Sequence, residues 1–226
     1  MKQLECQAII FDLDGVLIDS SAVIERSWRR WAEAQGLDGD AVMGIIAGRR
    51  MVEVIRLLAP HLDADEEARR LAAREGPDTR GLVQVPGAAQ LTSWLPPGVW
   101  GVVTSGTRPT ALTRLAYAGV PVPEVLVTAD DVTHGKPHPE AYWLAAEQLG
   151  VAPGHCLVVE DAPAGIQAAR AAGMRVVAVA TTHARDALAE ADAIAGQLGE
   201  IRIALNGDPG NQRGDRPVAL LRVTVG

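Results

Sequence analysis

The chain has 226 residues, 48% of them apolar and 22% charged, with a net charge of −7; that is enough apolar content for one packed core with one insertion. The acidic balance leaves no electrostatic footprint for nucleic acid, and it repels phosphorylated molecules at long range, so a site for one must carry its own local positive charge. No apolar stretch approaches the roughly 18 residues of a membrane helix and the N-terminus lacks a charged-then-apolar signal pattern. A cytoplasmic protein without membrane partners is therefore expected, its Cys6 and Cys156 being reduced and buried.

The first element is the continuously apolar run Ala8-Ile9-Ile10-Phe11, which reads as a strand covered on both faces of a parallel sheet. It runs into Asp12-Leu13-Asp14-Gly15. Side chains of a strand alternate, so Asp12 and Asp14 share a face, and the turn at Gly15 aims both beyond the strand's carboxyl end, where open α/β sheets bind ligands. Two carboxylates this close repel unless a cation lies between them or one holds a proton. The pair calls for a metal and for two different chemical roles.

Asp19 and Ser20 are helix-capping candidates. Ile24, Trp28 and Trp31 then recur at i, i+4 and i+7, a second apolar face follows at Val52, Ile55, Leu58 and Ala59, and the charged stretch 63–74 keeps Ala68, Leu71 and Ala72 on a narrow stripe. Nothing from 20 to 82 reads as strand. Gly48-Arg49-Arg50 lies between two of these helices, where an arginine pair on general grounds is a solvated face.

After Val85-Pro86-Gly87 returns the chain, helical patterns at 87–95 and 109–118 alternate with apolar runs up to Val179. Such alternation predicts parallel βαβ units with right-handed crossovers. Three of the apolar runs end in polar residues. Residues 99–103 lead into Thr104-Ser105-Gly106-Thr107, whose hydroxyls and small backbone suit a phosphate. Residues 125–128 lead to Asp130-Asp131, which could cap or approach a metal, and then to Gly135-Lys136-Pro137-His138-Pro139-Glu140. There Lys136 is a point cation before a proline that would begin a helix, and His138 reads as structural. Residues 156–159 end in Glu160-Asp161. In the tail, β-like runs at 201–205 and 220–225 flank a loop with Gly207, Gly210 and Gly214, which predicts a terminal antiparallel hairpin without chemistry.

The order Asp12-x-Asp14-Gly15, Thr104-Ser105-Gly106, Lys136-Pro137, Glu160-Asp161 resembles the phosphatase branch of the haloacid dehalogenase superfamily. The longer stretches around Thr104, Asp130, Lys136 and Glu160 look like the glycerol-phosphate, deoxyglucose-phosphate and related sugar-phosphate phosphatases. The resemblance implies a Rossmann-like catalytic core of residues 1–19 and 83–226 with a helical cap of residues 20–82. It further implies Mg²⁺-dependent hydrolysis of small phosphate monoesters through an aspartyl-phosphate, acting on a small phosphorylated metabolite in a monomer or small homo-oligomer. By this likeness Asp12 is the nucleophile and Asp14 the general acid and base. Thr104, Ser105, Gly106 and Lys136 bind the phosphoryl group. Asp12, the backbone carbonyl of Asp14 and Asp161 hold the metal, with Glu160 as a ligand or a supporting group. Family caps place a Gly-x-Arg against the substrate, which puts Arg50 at the arginine position and Arg49 at the variable one; Ala47 stands where the sugar-phosphate relatives often have histidine. A phosphomutase of the same fold is the alternative, but its relatives carry a histidine where this chain has Ile24. An idle phosphate-binding or regulatory protein is the other, and it predicts the loss of a core residue, of which none is lost.

Overall fold

The computed structural model describes residues 1–206, 212–213, 216–217 and 220–226. Its centre is a six-stranded parallel sheet in the order β6-β5-β2-β7-β8-β9, formed by β2 (Ala8–Asp12), β5 (Trp100–Val103), β6 (Val125–Val127), β7 (Cys156–Glu160), β8 (Arg175–Val179) and β9 (Ala193–Ala195). Every residue of β2 and β7 is buried, because helices cover both faces of the sheet. On one face Ile9, Phe11, Val102 and Val159 pack with Ala111 and Leu115 of α6 (Arg108–Ala118). On the other, Ile10, Val103 and Val158 pack with Tyr142 and Ala145 of α7 (Glu140–Leu149) and Ile166 of α8 (Pro163–Ala171). A short helix, α5 (Ala88–Trp94), precedes β5. Strands added after β2 first build outwards through β5 and β6, then resume on its other side with β7. The order therefore reverses at β2, and Phe11 pairs with Val159 there; such a reversal is where α/β sheets open a crevice.

Four helices lie between β3 (Ile18–Asp19) and β4 (Val83–Gln84), which pair antiparallel: α1 (Ser21–Ala34), α2 (Gly39–Ile46), α3 (Met51–Leu58) and α4 (Ala64–Glu75). They share an apolar core of their own, built on Trp28, Trp31, Val42, Ile55 and Leu71, with the two indoles edge to face at 5.4 Å. Helix α2 goes beyond the sequence reading. It starts at Asp38, whose carboxylate accepts from the Asp40 amide, and it buries Val42 and Ile46, one turn apart.

The terminal hairpin is present as β10 (Ile201–Asn206) against β13 (Leu220–Val225), with the two-residue pair β11 (Gln212–Arg213) and β12 (Arg216–Pro217) in the connection. Gly207, Gly210 and Gly214 lie outside the described residues. An unexpected third strand, β1 (Lys2–Cys6), pairs with the outer side of β13, giving the order β1-β13-β10. Only Leu4 and Cys6 of β1 are buried, so its alternation is too short to stand out. Leu221, Val223 and Val225 join the main core, and the tail is thus part of the packed body.

Candidate functional site

Asp12 ends β2 and Glu160 ends β7, so the reversal in strand order brings their side chains together. Asp12, Glu160 and Asp161 each offer an oxygen, all within 4.8 Å of one another, and all three residues are buried. Between them sits Lys136, 2% exposed, whose Nζ donates to Asp12 Oδ1 at 2.5 Å and to Glu160 Oε1 at 2.6 Å. Burial alone would push this lysine down, but the charges of Asp12 and Glu160 outweigh it and hold it well above its ordinary value.

The three carboxylates are not alike. Glu160 is saturated: Oε1 takes Lys136 and Tyr142 Oη, and Oε2 takes the amides of Asp161 and Ala162 at 2.8 and 3.0 Å. Burial pushes it up, yet Lys136 and these amides keep it below its ordinary value. Asp12 and Asp161 keep unshared oxygens. Burial drives Asp12 up to about 8, with Lys136 opposing. Burial also holds Asp161 well above its ordinary value, helped by the charges of Glu160 and Asp12. Three buried carboxylates around one ammonium leave an excess of negative charge, which a further cation would relieve. An all-oxygen donor set suits a hard cation such as Mg²⁺. Backbone closeness shapes this nest. A Cβ at Gly15, whose φ is +81°, would lie 2.0 Å from Asp161 Oδ2, and one at Gly165 would lie 1.6 Å from Glu160 Oε1.

Asp14 stands beside this cluster. Its Oδ1 accepts from Ser20 Oγ at 2.6 Å and from Arg114 Nη1 at 2.7 Å, while Oδ2 has only Thr104 Oγ1 at 3.3 Å. Ser20, read as a helix cap, thus spends its hydroxyl on Asp14, and Asp19 does the capping by accepting from the Ser21 amide. Thr104 is buried and also receives the Gly106 amide. Ser105 lines the cavity, its hydroxyl donating to Gly48 O at 2.7 Å. Asp130 and Asp131 stay away from the carboxylate cluster. Asp130 accepts from the Arg108 amide, and Asp131 from the amide and hydroxyl of Thr128. Helix α7 begins at Glu140, later than the proline after Lys136.

A cavity of about 320 Å³ opens above these residues. Its floor includes Asp12, Asp14 and Asp161, and its helical wall includes Ile24, Trp28, Met43 and Met51. Here the expectation for the arginine pair needs correction: Arg49 lines this cavity, and Arg50 does not. Arg50 is 7% exposed and points to the sheet body. Its guanidinium donates to the carbonyls of Ala129, Val132 and Thr133. The neighbouring Glu53 takes the Gly135 amide at 2.6 Å. The reason is local. Arg50 has extended backbone, φ −74° and ψ 143°, and successive side chains of extended backbone leave on opposite sides. These bonds latch the helical unit onto the segment that carries Lys136, and the Ser105–Gly48 bond ties it to the loop after β5.

Sequence reading missed Arg114 and Glu75, which line the same cavity. A signal was there. Ala111, Arg114, Leu115 and Ala118 recur at i, i+3, i+4 and i+7, and so do Ala68, Leu71, Ala72 and Glu75; each places one charge on an otherwise apolar stripe. His134, His138 and Glu140 also cluster, on the surface; Glu140 accepts the amides of Thr133 and His134 and so fastens the loop. The cysteine thiols are free and buried, and burial pushes both up to about 12. No helix among the described residues is long and apolar enough to cross a membrane.

Comparison with known proteins gives this geometry a context. Residues 6–173 match the profile of the haloacid dehalogenase-like hydrolases. Hexitol phosphatase A of Escherichia coli is 42% identical over 91% of this chain and 98% of its own. Glycerol-1-phosphate phosphohydrolase 2 of Saccharomyces cerevisiae is 36% identical over 83% of this chain and 80% of its own. Among solved structures, a hydrolase from Pseudomonas syringae superposes with a TM-score of 0.73 at 26% identity, covering 85% of this chain and 94% of that one.

Proposed function

We propose, for a chain that belongs to the haloacid dehalogenase-like hydrolase family, that it hydrolyses small sugar, polyol or glycerol phosphates in a Mg²⁺-dependent reaction through an aspartyl-phosphate. The observation that carries this reading is the buried trio of Asp12, Lys136 and Asp161 at the strand-order reversal, with Asp14 alongside. Asp12 keeps one oxygen free of hydrogen bonds and attacks phosphorus, forming the acyl-phosphate while the bond to the ester oxygen breaks. Lys136 neutralises charge on the transferring group, and the Thr104-Ser105-Gly106 turn shapes the adjoining wall. Asp14 gives its proton to the departing alkoxide, then takes one from the water that hydrolyses the acyl-phosphate and regenerates Asp12.

Asp12, Asp161 and the Asp14 carbonyl would hold the Mg²⁺, whose charge screens the phosphoryl oxygens. Glu160, its acceptors filled, orients Lys136 instead of acting as a ligand. The helical unit of residues 20–82 acts as a cap, latched by Arg50 and Glu53, with Arg49 at the cavity's edge to meet the substrate. A mutase reading is disfavoured because Ile24, where those relatives carry a histidine, presents an apolar side chain to the cavity. A cytoplasmic location fits the absence of a membrane-spanning helix among the described residues.

The test is a panel of glycerol, polyol, hexose and deoxy-sugar phosphates assayed for inorganic phosphate with Mg²⁺ present. Release of phosphate with kcat/KM at least a hundredfold above that for p-nitrophenyl phosphate on one class supports the reading. An isomerised sugar phosphate without phosphate release would make the protein a mutase, and binding without turnover would make it a regulatory protein.

A further inference from the structure

Arg114 is 4% exposed and faces two carboxylates, with Nη1 on Asp14 Oδ1 and Nη2 on Glu75 Oε1, each at 2.7 Å. Glu75 is likewise 4% exposed and is the last residue of α4, at the end of the helical unit. A buried guanidinium needs a counter-charge, and one carboxylate would meet that need. Here the second partner is Asp14. The geometry treats its two oxygens unequally: Oδ1 is pinned by Arg114 and Ser20, and Oδ2 has only the 3.3 Å contact with Thr104.

We propose that Arg114, itself held by Glu75, is a positioning residue for Asp14: it fixes the carboxylate through Oδ1 and leaves Oδ2 as the oxygen that gives and takes the proton. The chain of contacts runs from the helical unit, through a core helix, to the acid and base. Glu75 therefore makes the alignment of Asp14 depend on the helical unit being docked. Arg114 is a planar fork with two parallel donors, and a lysine at the same place would reach only one carboxylate at a time. The inference rests on the reading of Asp14 as the acid and base.

The experiment compares leaving groups. A polyol alkoxide needs a proton to depart, and p-nitrophenolate does not, so misplacing the acid slows the first far more than the second. First-turnover release of polyol from a polyol phosphate and of p-nitrophenol from p-nitrophenyl phosphate is measured by rapid quench with Mg²⁺, for wild type, Arg114→Met, Arg114→Lys, Glu75→Gln and Asp14→Asn. Arg114→Met is expected to slow polyol release about a hundredfold, with p-nitrophenol release within about threefold and KM little changed. Arg114→Lys should recover part of the loss, and the near-isosteric Glu75→Gln should show the same selectivity at smaller size. It also carries the test if Arg114→Met fails to fold by circular dichroism. Equal losses on both leaving groups, a loss in KM alone, or no loss would overturn the inference. Asp14→Asn separates the two levels. If it too treats both leaving groups alike, the acid and base reading has failed; if it discriminates and the Arg114 and Glu75 variants do not, only the positioning role has.

Discussion

The two walls of the cleft are built on different logic. On the sheet side, Asp12, Lys136, Glu160 and Asp161 are buried and hydrogen-bonded to one another, each at or just beyond the end of an apolar strand or on the loop beside it. On the helical side, Ile24, Trp28, Met43 and Met51 present apolar surface; of its charged groups Arg50 latches elsewhere, Arg49 lies exposed, and Glu75 is buried against Arg114. A wall of preorganised charge suits the part of a substrate that does not vary, and a wall of adaptable apolar surface suits the part that does. On the proposed reading, the sheet side would serve the phosphoryl group and the helical side would choose the alcohol.

The sharpest way to break that division is Asp12→Asn. It should abolish steady phosphate release, to below about a thousandth of wild type, because an amide is a poor nucleophile while the shape is kept. Loss of that size should appear for every substrate; a variant still active on one of them would show that the sheet side is not common machinery. Next comes the metal. A chelator should silence the enzyme and Mg²⁺ should restore it, and Asp161→Asn should raise the Mg²⁺ concentration at half-activity by on the order of a hundredfold. Full activity in the chelator would sink the constellation. A smaller effect is expected from Arg50→Ala, which unlatches the helical unit and so should lower kcat/KM about tenfold on a sugar phosphate and on p-nitrophenyl phosphate alike. A loss confined to the sugar phosphate would return Arg50 to the substrate, as the family resemblance implies. Arg49→Ala should do the converse, costing roughly threefold to tenfold on the sugar phosphate only.

The smallest prediction concerns Glu140, which amides of Thr133 and His134 hold down to about 2. Because its folded value is depressed, its contribution is present above the ordinary value of 4.5 and is lost as pH falls toward about 2. Glu140→Gln should lower Tm by roughly 2–4 °C at pH 7, and the gap should close as pH is lowered through that window. A gap independent of pH would mean that shape, not charge, fastens the loop.

Much of the sheet side could be read from the chain because a buried parallel strand writes itself as an apolar run, and its polar terminus is then conspicuous. Asp12 and Glu160 are visible for that reason. The helical side was read as helices but not as surfaces. Whether Arg49 or Arg50 meets the cavity turns on one peptide's orientation, which no periodicity reports; in the structure Arg49 lines it and Arg50 does not. Arg114 lies 100 residues from Asp14 and 39 from Glu75 along the chain; each of the two charges looks like a defect in an apolar stripe until the partner is known. Strands β1 and β9 escaped notice because five and three residues at a sheet's edge carry too little alternation to separate from loop.

The three-stranded sheet has a mechanical consequence. In the ladder between β1 and β13, Lys2 lies opposite Val225 and Cys6 opposite Leu221, so both ends of the described chain leave from the same edge of one antiparallel pair. Tension applied between Met1 and Gly226 would load the Lys2–Val225 rung first and open the ladder one rung after another, like a zipper, instead of loading all the rungs in shear. Peeling β13 away would then strip Leu221, Val223 and Val225 from the main core. The protein should yield to a pull on its ends at low force, well before the parallel sheet that carries Asp12 feels any load.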